Sequence, residues 1–224
     1  MFFDSTFVLF IPALILGIWA QWRVSSAFRK YSKVRSARGL TGAQAARILL
    51  DQAGLQNVAI EGIPGRLTDH YDPRTKVLRL SADVGNSNSL AAVGVAAHEA
   101  GHALQDADGY QPMKFRSALL PAANLGSSLL MPMLIIGFLI PSFRSLLPLG
   151  ILFYAAAVLF HVVTLPVEFN ASSRAITYLT NSGILMGEEV AGARKVLSAA
   201  ALTYVAATLV AILNLIRLVM LSRR

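Results

Sequence analysis

Four apolar stretches, residues 6–22, 119–140, 146–165 and 198–221, constrain this chain more than any other feature. A helix rises about 1.5 Å per residue, so roughly 20 apolar residues cross the hydrocarbon core of a bilayer. Each stretch is long enough to do so, although Asn214 and Arg217 interrupt the last. The chain is 55% hydrophobic and 14% charged, with a mean hydropathy of +0.57, which is too apolar for an ordinary soluble domain. A mainly α fold follows: a polytopic membrane protein in contact with the lipid bilayer, with about four transmembrane helices.

Charge sets the expected orientation. Arg23, Arg29, Lys30, Lys33, Arg35 and Arg38 crowd behind the first stretch, and the positive-inside rule holds that side in the cytoplasm. Residues before it carry Asp4 and no basic group, and no small-residue cleavage site follows, so it reads as an uncleaved anchor with its N-terminus outside. Four crossings also place Arg223 and Arg224 outside, against the same rule. The net charge of +8 does not indicate nucleic acid, because no aromatic-interleaved basic groove or binding motif accompanies it.

The expected organisation is a transmembrane anchor (1–22), a cytoplasmic region (23–117), a transmembrane hairpin (118–166), a second cytoplasmic segment (167–197), and a last transmembrane helix with tail (198–224). The first cytoplasmic region reads as a small α+β insertion. Thr41-Gly42-Ala43-Gln44 is a capping box that opens a helix ending near Gly54. Residues 58–60 suggest a strand, and residues 76–80 alternate apolar and polar side chains as a half-buried strand does. Asp72-Pro73 marks a turn before it, and residues 85–89 a loop after it. The 76–80 strand is positioned to pair with an extended substrate backbone. In the spans, Ala122 with Gly126, and Ala199, Thr203, Ala207 and Ala211, are small residues spaced for close helix packing.

His98-Glu99-Ala100-Gly101-His102 gives this insertion its chemistry. Two histidines four apart project from one helical face and can grip one Zn²⁺, while Glu99 is placed to take a proton from a water beside the metal. The chain has no Cys, so His and carboxylate are the available ligands, and the insertion is zincin-like. A catalytic zinc needs a third ligand. Glu168 is the expected one, because two spans separate it from His102 and an even number of crossings returns the chain to the same face. Asp108 is the rival, ten residues beyond His98 as in metzincins, but Gln105 stands where that arrangement needs a glycine. Asp106 and Asp108 otherwise read as helix-capping or supporting groups. His70, His161, Arg174, Tyr178, Arg194 and Tyr204 are the candidates to stabilise an oxyanion.

At these residues the chain resembles known families. The His98-Glu99-x-x-His102 motif, two spans and Glu168-Phe169-Asn170-Ala171 are similar to membrane zinc peptidases of the HtpX and CAAX-prenyl-protease type, whose downstream element is Glu-Phe-x-Ala-Asp-x-x-Ala. More closely, Asp69-His70-Tyr71-Asp72-Pro73, the run from Ala96 to Gln105 and the run from Ala201 to Ala207 resemble the YugP-type bacterial zinc metallopeptidases. That resemblance implies a zinc peptidase of the bacterial inner or plasma membrane. One departure stands out: where the HtpX-type element has Asp, this chain has Ser172, which leaves Asp69, Asp106 and Asp108 as candidates to orient a ligand histidine.

The expectation is a zinc-dependent endopeptidase, HExxH and gluzincin-like, with metal ligands His98, His102 and Glu168 and catalytic Glu99, acting on peptide or membrane-protein substrates at the cytoplasmic membrane face, with membrane-protein quality control as a role. Two alternatives remain: a site-2-type intramembrane protease, and a non-catalytic metal-binding scaffold. A membrane partner or homo-oligomer is left open by the sequence.

Overall fold

The computed structural model describes residue 8 and residues 10–222. Helix α1 (Phe10–Tyr31) and α2 (Gly42–Gln52) lead to strands β1 (Ala59–Ile63), β2 (His70–Asp72) and β3 (Val77–Ser81). The short helix α3 (Ala82–Gly85) follows, then α4 (Leu90–Ala107), α5 (Gln111–Leu139), α6 (Leu146–Asn181) and α7 (Glu188–Ser222). Among the described residues three helices, α5, α6 and α7, are long and apolar enough to cross a membrane. The expected first span falls partly outside the described residues, at 6, 7 and 9, and α1 is not among the three, since Gln21 and Arg23 break its apolar run.

Two compact units divide the chain. One comprises Met1–Ala20, Gln111–Pro166 and Thr203–Arg224; the other comprises Gln21–Tyr110 and Val167–Leu202. In the first, α5 and α6 approach so closely at Gly126 that a Cβ there would strike the Phe153 carbonyl. Ala123, not the expected Ala122, is buried with Gly126 and Leu130, a three- and four-residue spacing on one face of α5. Large apolar side chains such as Leu139 (75% exposed), Phe138 and Leu152 point outward, as lipid-facing residues do. In α7, Ala206 and Thr208 are buried rather than Ala207.

The second unit is built around α4. Thr41 caps α2 as the sequence suggests: its hydroxyl accepts the Gln44 N–H at 3.3 Å and the Gln44 side chain accepts the Thr41 N–H at 2.9 Å. Gly54, with φ of +75°, takes the left-handed conformation just past the helix end. Ser89 caps α4, accepting the Ala92 N–H at 3.2 Å. Helix α4 is rich in Ala and Gly and buried nearly all round, which lets neighbouring backbones come close. At Gly42 a Cβ would strike the Val84 carbonyl, and at Gly101 it would lie 2.6 Å from the Ala171 carbonyl of α6.

The sheet order is β1-β3-β2. Strand β3 pairs in parallel with β1, Ala59 opposite Val77, and antiparallel with β2, Tyr71 opposite Leu78. Leu78 and Leu80 are buried, while Arg79 on the other face meets Glu61 at 3.3 Å and Asp72 at 3.4 Å. The 76–80 segment is therefore a strand, but a central one with both ladder edges used, so it is not free to pair with substrate. The short β2, which the sequence reads as loop and turn, is an edge strand.

Because the α4–α6 contact at Gly101 has no room for a methyl group, Gly101→Ala should force the helices apart and cost about 1–3 kcal/mol. A thermal scan and zinc content of the purified variant test this; wild-type values for both would show that the contact yields freely.

Candidate metal centre

The spacing of four on α4 sets the His98 and His102 rings 4.8 Å apart, nearly perpendicular at 82°. Helix α6, drawn close at Gly101, delivers Glu168 between them. Its Oε2 lies 3.2 Å from His98 Nε2 and 3.7 Å from His102 Nε2. These three residues bring one donor atom each within 4.8 Å of one another. Zinc bonds of about 2.0–2.1 Å at tetrahedral angles require donor atoms roughly 3.3–3.4 Å apart, so the spacing and the two-nitrogen, one-oxygen donor set fit that ion. Glu168 is 2% exposed, and a carboxylate so buried requires positive charge or donors beside it.

What points both Nε2 atoms inward is the partner each ring has at Nδ1. His102 Nδ1 is 3.0 Å from Gln105 Oε1. The Gln105 amide NH₂ is committed elsewhere, donating to the Val167 carbonyl at 2.8 Å and Asn170 Oδ1 at 3.0 Å, so its oxygen accepts from His102 Nδ1–H. His98 Nδ1 is 3.1 Å from Ser172 Oγ. With hydrogen bonds at Nδ1, both rings present an Nε2 lone pair to the centre.

Glu99 is partly exposed, and its Oε2 accepts the backbone N–H of Tyr71 in β2 at 3.1 Å. Burial pushes its carboxyl pKa up; the His98 and His102 charges oppose that rise, and Glu168 and Asp69 add to it. Tyr71 is itself anchored: its phenol donates to Asp106 Oδ2 at 2.7 Å, and Lys76 pairs with the same carboxylate. Burial, then Asp106, raise the phenol's pKa, so it stays a neutral donor.

The structure sorts the remaining candidates. Asp108, the rival ligand, caps the C-terminal end of α4 and pairs with Arg174, away from the histidines. None of the three aspartates considered as replacements for the missing one bonds a ligand histidine. Asp69 accepts from the Ser81 N–H at 2.7 Å, Asp106 holds Tyr71 and Asp108 holds Arg174. Ser172 itself makes the contact, together with Gln105, which sequence reasoning passed over. Its signal was its place three residues after His102, one turn along the same face. Arg174 donates to Asn170 Oδ1 at 2.8 Å and lies 5.9 Å over the Tyr110 ring, so it braces Gln105 through Asn170. His70 holds the Thr68 carbonyl at 2.9 Å through Nδ1. Tyr178 is half-buried further along α6, and Arg194 lines a groove between α6 and α7. His161 and Tyr204 belong to the other unit.

These contacts predict that Gln105→Leu and Ser172→Ala weaken zinc binding by roughly 10–100-fold each, the usual range for partners of ligand histidines. Gln105→Glu and Ser172→Asp keep an acceptor and should retain most of the affinity. Competition with a chromogenic chelator reads the result, and unchanged affinity in Gln105→Leu would remove that residue from the support of His102.

The sequence matches the profile of the family described as "Putative neutral zinc metallopeptidase" over residues 6–223. A relative from Bacillus subtilis (strain 168), "Putative membrane protease YugP", is 48% identical over 213 residues, covering 95% of this chain and 94% of the relative. No solved structure matches. Both similarities run nearly end to end and take in the helix pair that carries the His and Glu donors, and on that footing the chain belongs to this family of neutral zinc metallopeptidases.

Proposed function

We propose that this protein is a zinc-dependent endopeptidase embedded in a bacterial inner or plasma membrane, hydrolysing peptide bonds of membrane-protein or membrane-proximal substrates at the cytoplasmic face. The observation that carries this reading is the convergence of His98 Nε2, His102 Nε2 and Glu168 Oε2, with the Glu99 carboxylate held beside them by Tyr71. His98, His102 and Glu168 would hold the ion. Zinc bound there supplies Lewis acidity, which acidifies a water and polarises a carbonyl.

Glu99 accepts the proton of the attacking water at its carboxylate and then delivers it to the nitrogen of the departing amine. The elevated pKa that burial gives Glu99 suits the first half of that exchange, since a more basic carboxylate takes the proton more readily. The Tyr71 N–H fixes the carboxylate's direction without neutralising it. A purely structural metal site has no use for such a residue, which speaks against a scaffold role.

The membrane setting includes the first span as a fourth crossing, with the basic residues between 23 and 38 and the metal cluster on the cytoplasmic side. A site at that boundary favours membrane-protein quality control.

Two measurements test the chemistry. Glu99→Gln should keep its zinc and lose roughly 10²–10⁴-fold in peptide hydrolysis, because the amide cannot accept a proton. Glu168→Gln should lose both metal and activity, since a neutral amide is a poor zinc ligand, whereas Asp108→Ala should keep most of its zinc. Wild-type turnover by Glu99→Gln, or full zinc in Glu168→Gln, would overturn the assigned roles. Orientation is read separately: a cysteine at Gly62 that reacts with a membrane-impermeant thiol reagent in intact cells contradicts the cytoplasmic placement.

A further inference from the structure

Next to the cluster lies a groove of about 440 Å³ that the chemistry above does not use. Phe169, Ser172 and Thr177 of α6 line one wall; Arg194, Ser198 and Leu202 of α7 line the other. On each helix the lining residues recur at three- and four-residue steps over two turns, so the groove is a seam between two facing stripes. The short connection between Asn181 and Glu188 makes α6 and α7 an antiparallel pair, which sets Phe169 near Leu202 at one end and Thr177 near Arg194 at the other.

The two ends differ chemically. Phe169 follows Glu168 in α6, and Ser172 lines the groove while meeting the outer Nδ1 of His98, so the apolar end lies against the back of that ring. At the other end Arg194 is exposed and makes no ion pair or hydrogen bond among the described residues, and no carboxylate lines the groove. A cation without a counter-charge, in a groove lined also by Thr177 and Ser198, offers a place for an anion. The distance from Phe169 to Thr177 along α6 is about 12 Å, the length of three or four residues of extended peptide.

We infer that this seam is a specificity subsite of the peptidase: it takes extended substrate with an apolar residue at the Phe169 end and an acidic side chain, three or four positions further from the scissile bond, on Arg194. The inference rests on the peptidase reading. A peptide suits the seam better than a lipid, because its hydroxyl lining can hydrogen-bond a backbone that acyl chains lack, and because Ser172 both lines the groove and holds the His98 ring.

The test uses the full-length, zinc-loaded protein in detergent and two quenched-fluorescent peptides, identical except for Glu or Lys at the fourth position on each side of an apolar cleavage site. Wild type should cleave the Glu peptide with a kcat/KM higher by roughly tenfold, carried by KM, since one exposed charge contact is worth a few-fold and its repulsive counterpart a similar factor. Arg194→Glu should invert the preference and Arg194→Lys should keep most of it. Lys195→Glu, which makes the same change in net charge one residue away, should leave the ratio alone. A parallel binding measurement on Glu99→Gln, by anisotropy with the same peptides, separates the two readings. Arg194-dependent preference in binding without any cleavage by wild type sinks the peptidase reading and keeps the subsite. Cleavage of both peptides at equal kcat/KM, equal binding of both, or an Arg194→Glu change confined to binding of phosphatidylglycerol micelles overturns the subsite.

Discussion

The contact between Gly101 and the backbone of α6 at Ala171 is the constraint on which the centre depends. Glu168 reaches His98 and His102 because α6 lies against α4 with no side chain between them. The absence of side chains at Gly42, which lies against Ala92 and Ala96, and at Gly101, which lies against Ala171, sets how tightly α2 and α6 close on the helix that carries both histidines. A helix carrying larger side chains would stand off by several ångströms, and helices pack 8–10 Å apart according to the residues at their contact. The small residues of α4 are thus the means by which two distant stretches of chain form one cluster.

Around that cluster the supporting groups are neutral. Ser172 and Gln105 hold the Nδ1 atoms, where an aspartate would make the imidazoles more basic and add negative charge. Charge instead appears one step further out, in the Arg174–Asp108 and Lys76–Asp106 pairs. The chain His102–Gln105–Asn170–Arg174–Asp108 ties a buried histidine to an ion pair at the surface, so the orientation of the ring is fixed by a line of hydrogen bonds rather than by one contact.

The sheet contributes through its edge. Strand β2 is three residues long, yet its Tyr71 N–H points away from β3 to Glu99, and its phenol is pinned on Asp106. A backbone donor in a hydrogen-bonded strand is stiffer than a side-chain donor on a loop, which suits the holding of the Glu99 carboxylate in one direction. The tie runs across 28 residues of sequence.

Several features are legible in the residues alone because they rest on local periodicity. The apolar lengths of α5, α6 and α7, the Thr41–Gln44 box, the alternating β3 segment and the helical spacing of His98 and His102 each follow from geometry within a dozen residues or so. Even Glu168 could be pointed to by counting crossings. What the tertiary structure decided are the pairings across long separations. Ser172 rather than an aspartate meets His98, Gln105 braces His102, and β2 rather than β3 forms the edge beside Glu99. Ala123 rather than Ala122 is buried with Gly126. Periodicity narrows the choice of inward face to within a residue or so; which hydroxyl, amide or strand edge then meets a given atom depends on how closely two backbones pack, and at the cluster that distance is set by Gly101, whose partner Ala171 lies 70 residues away.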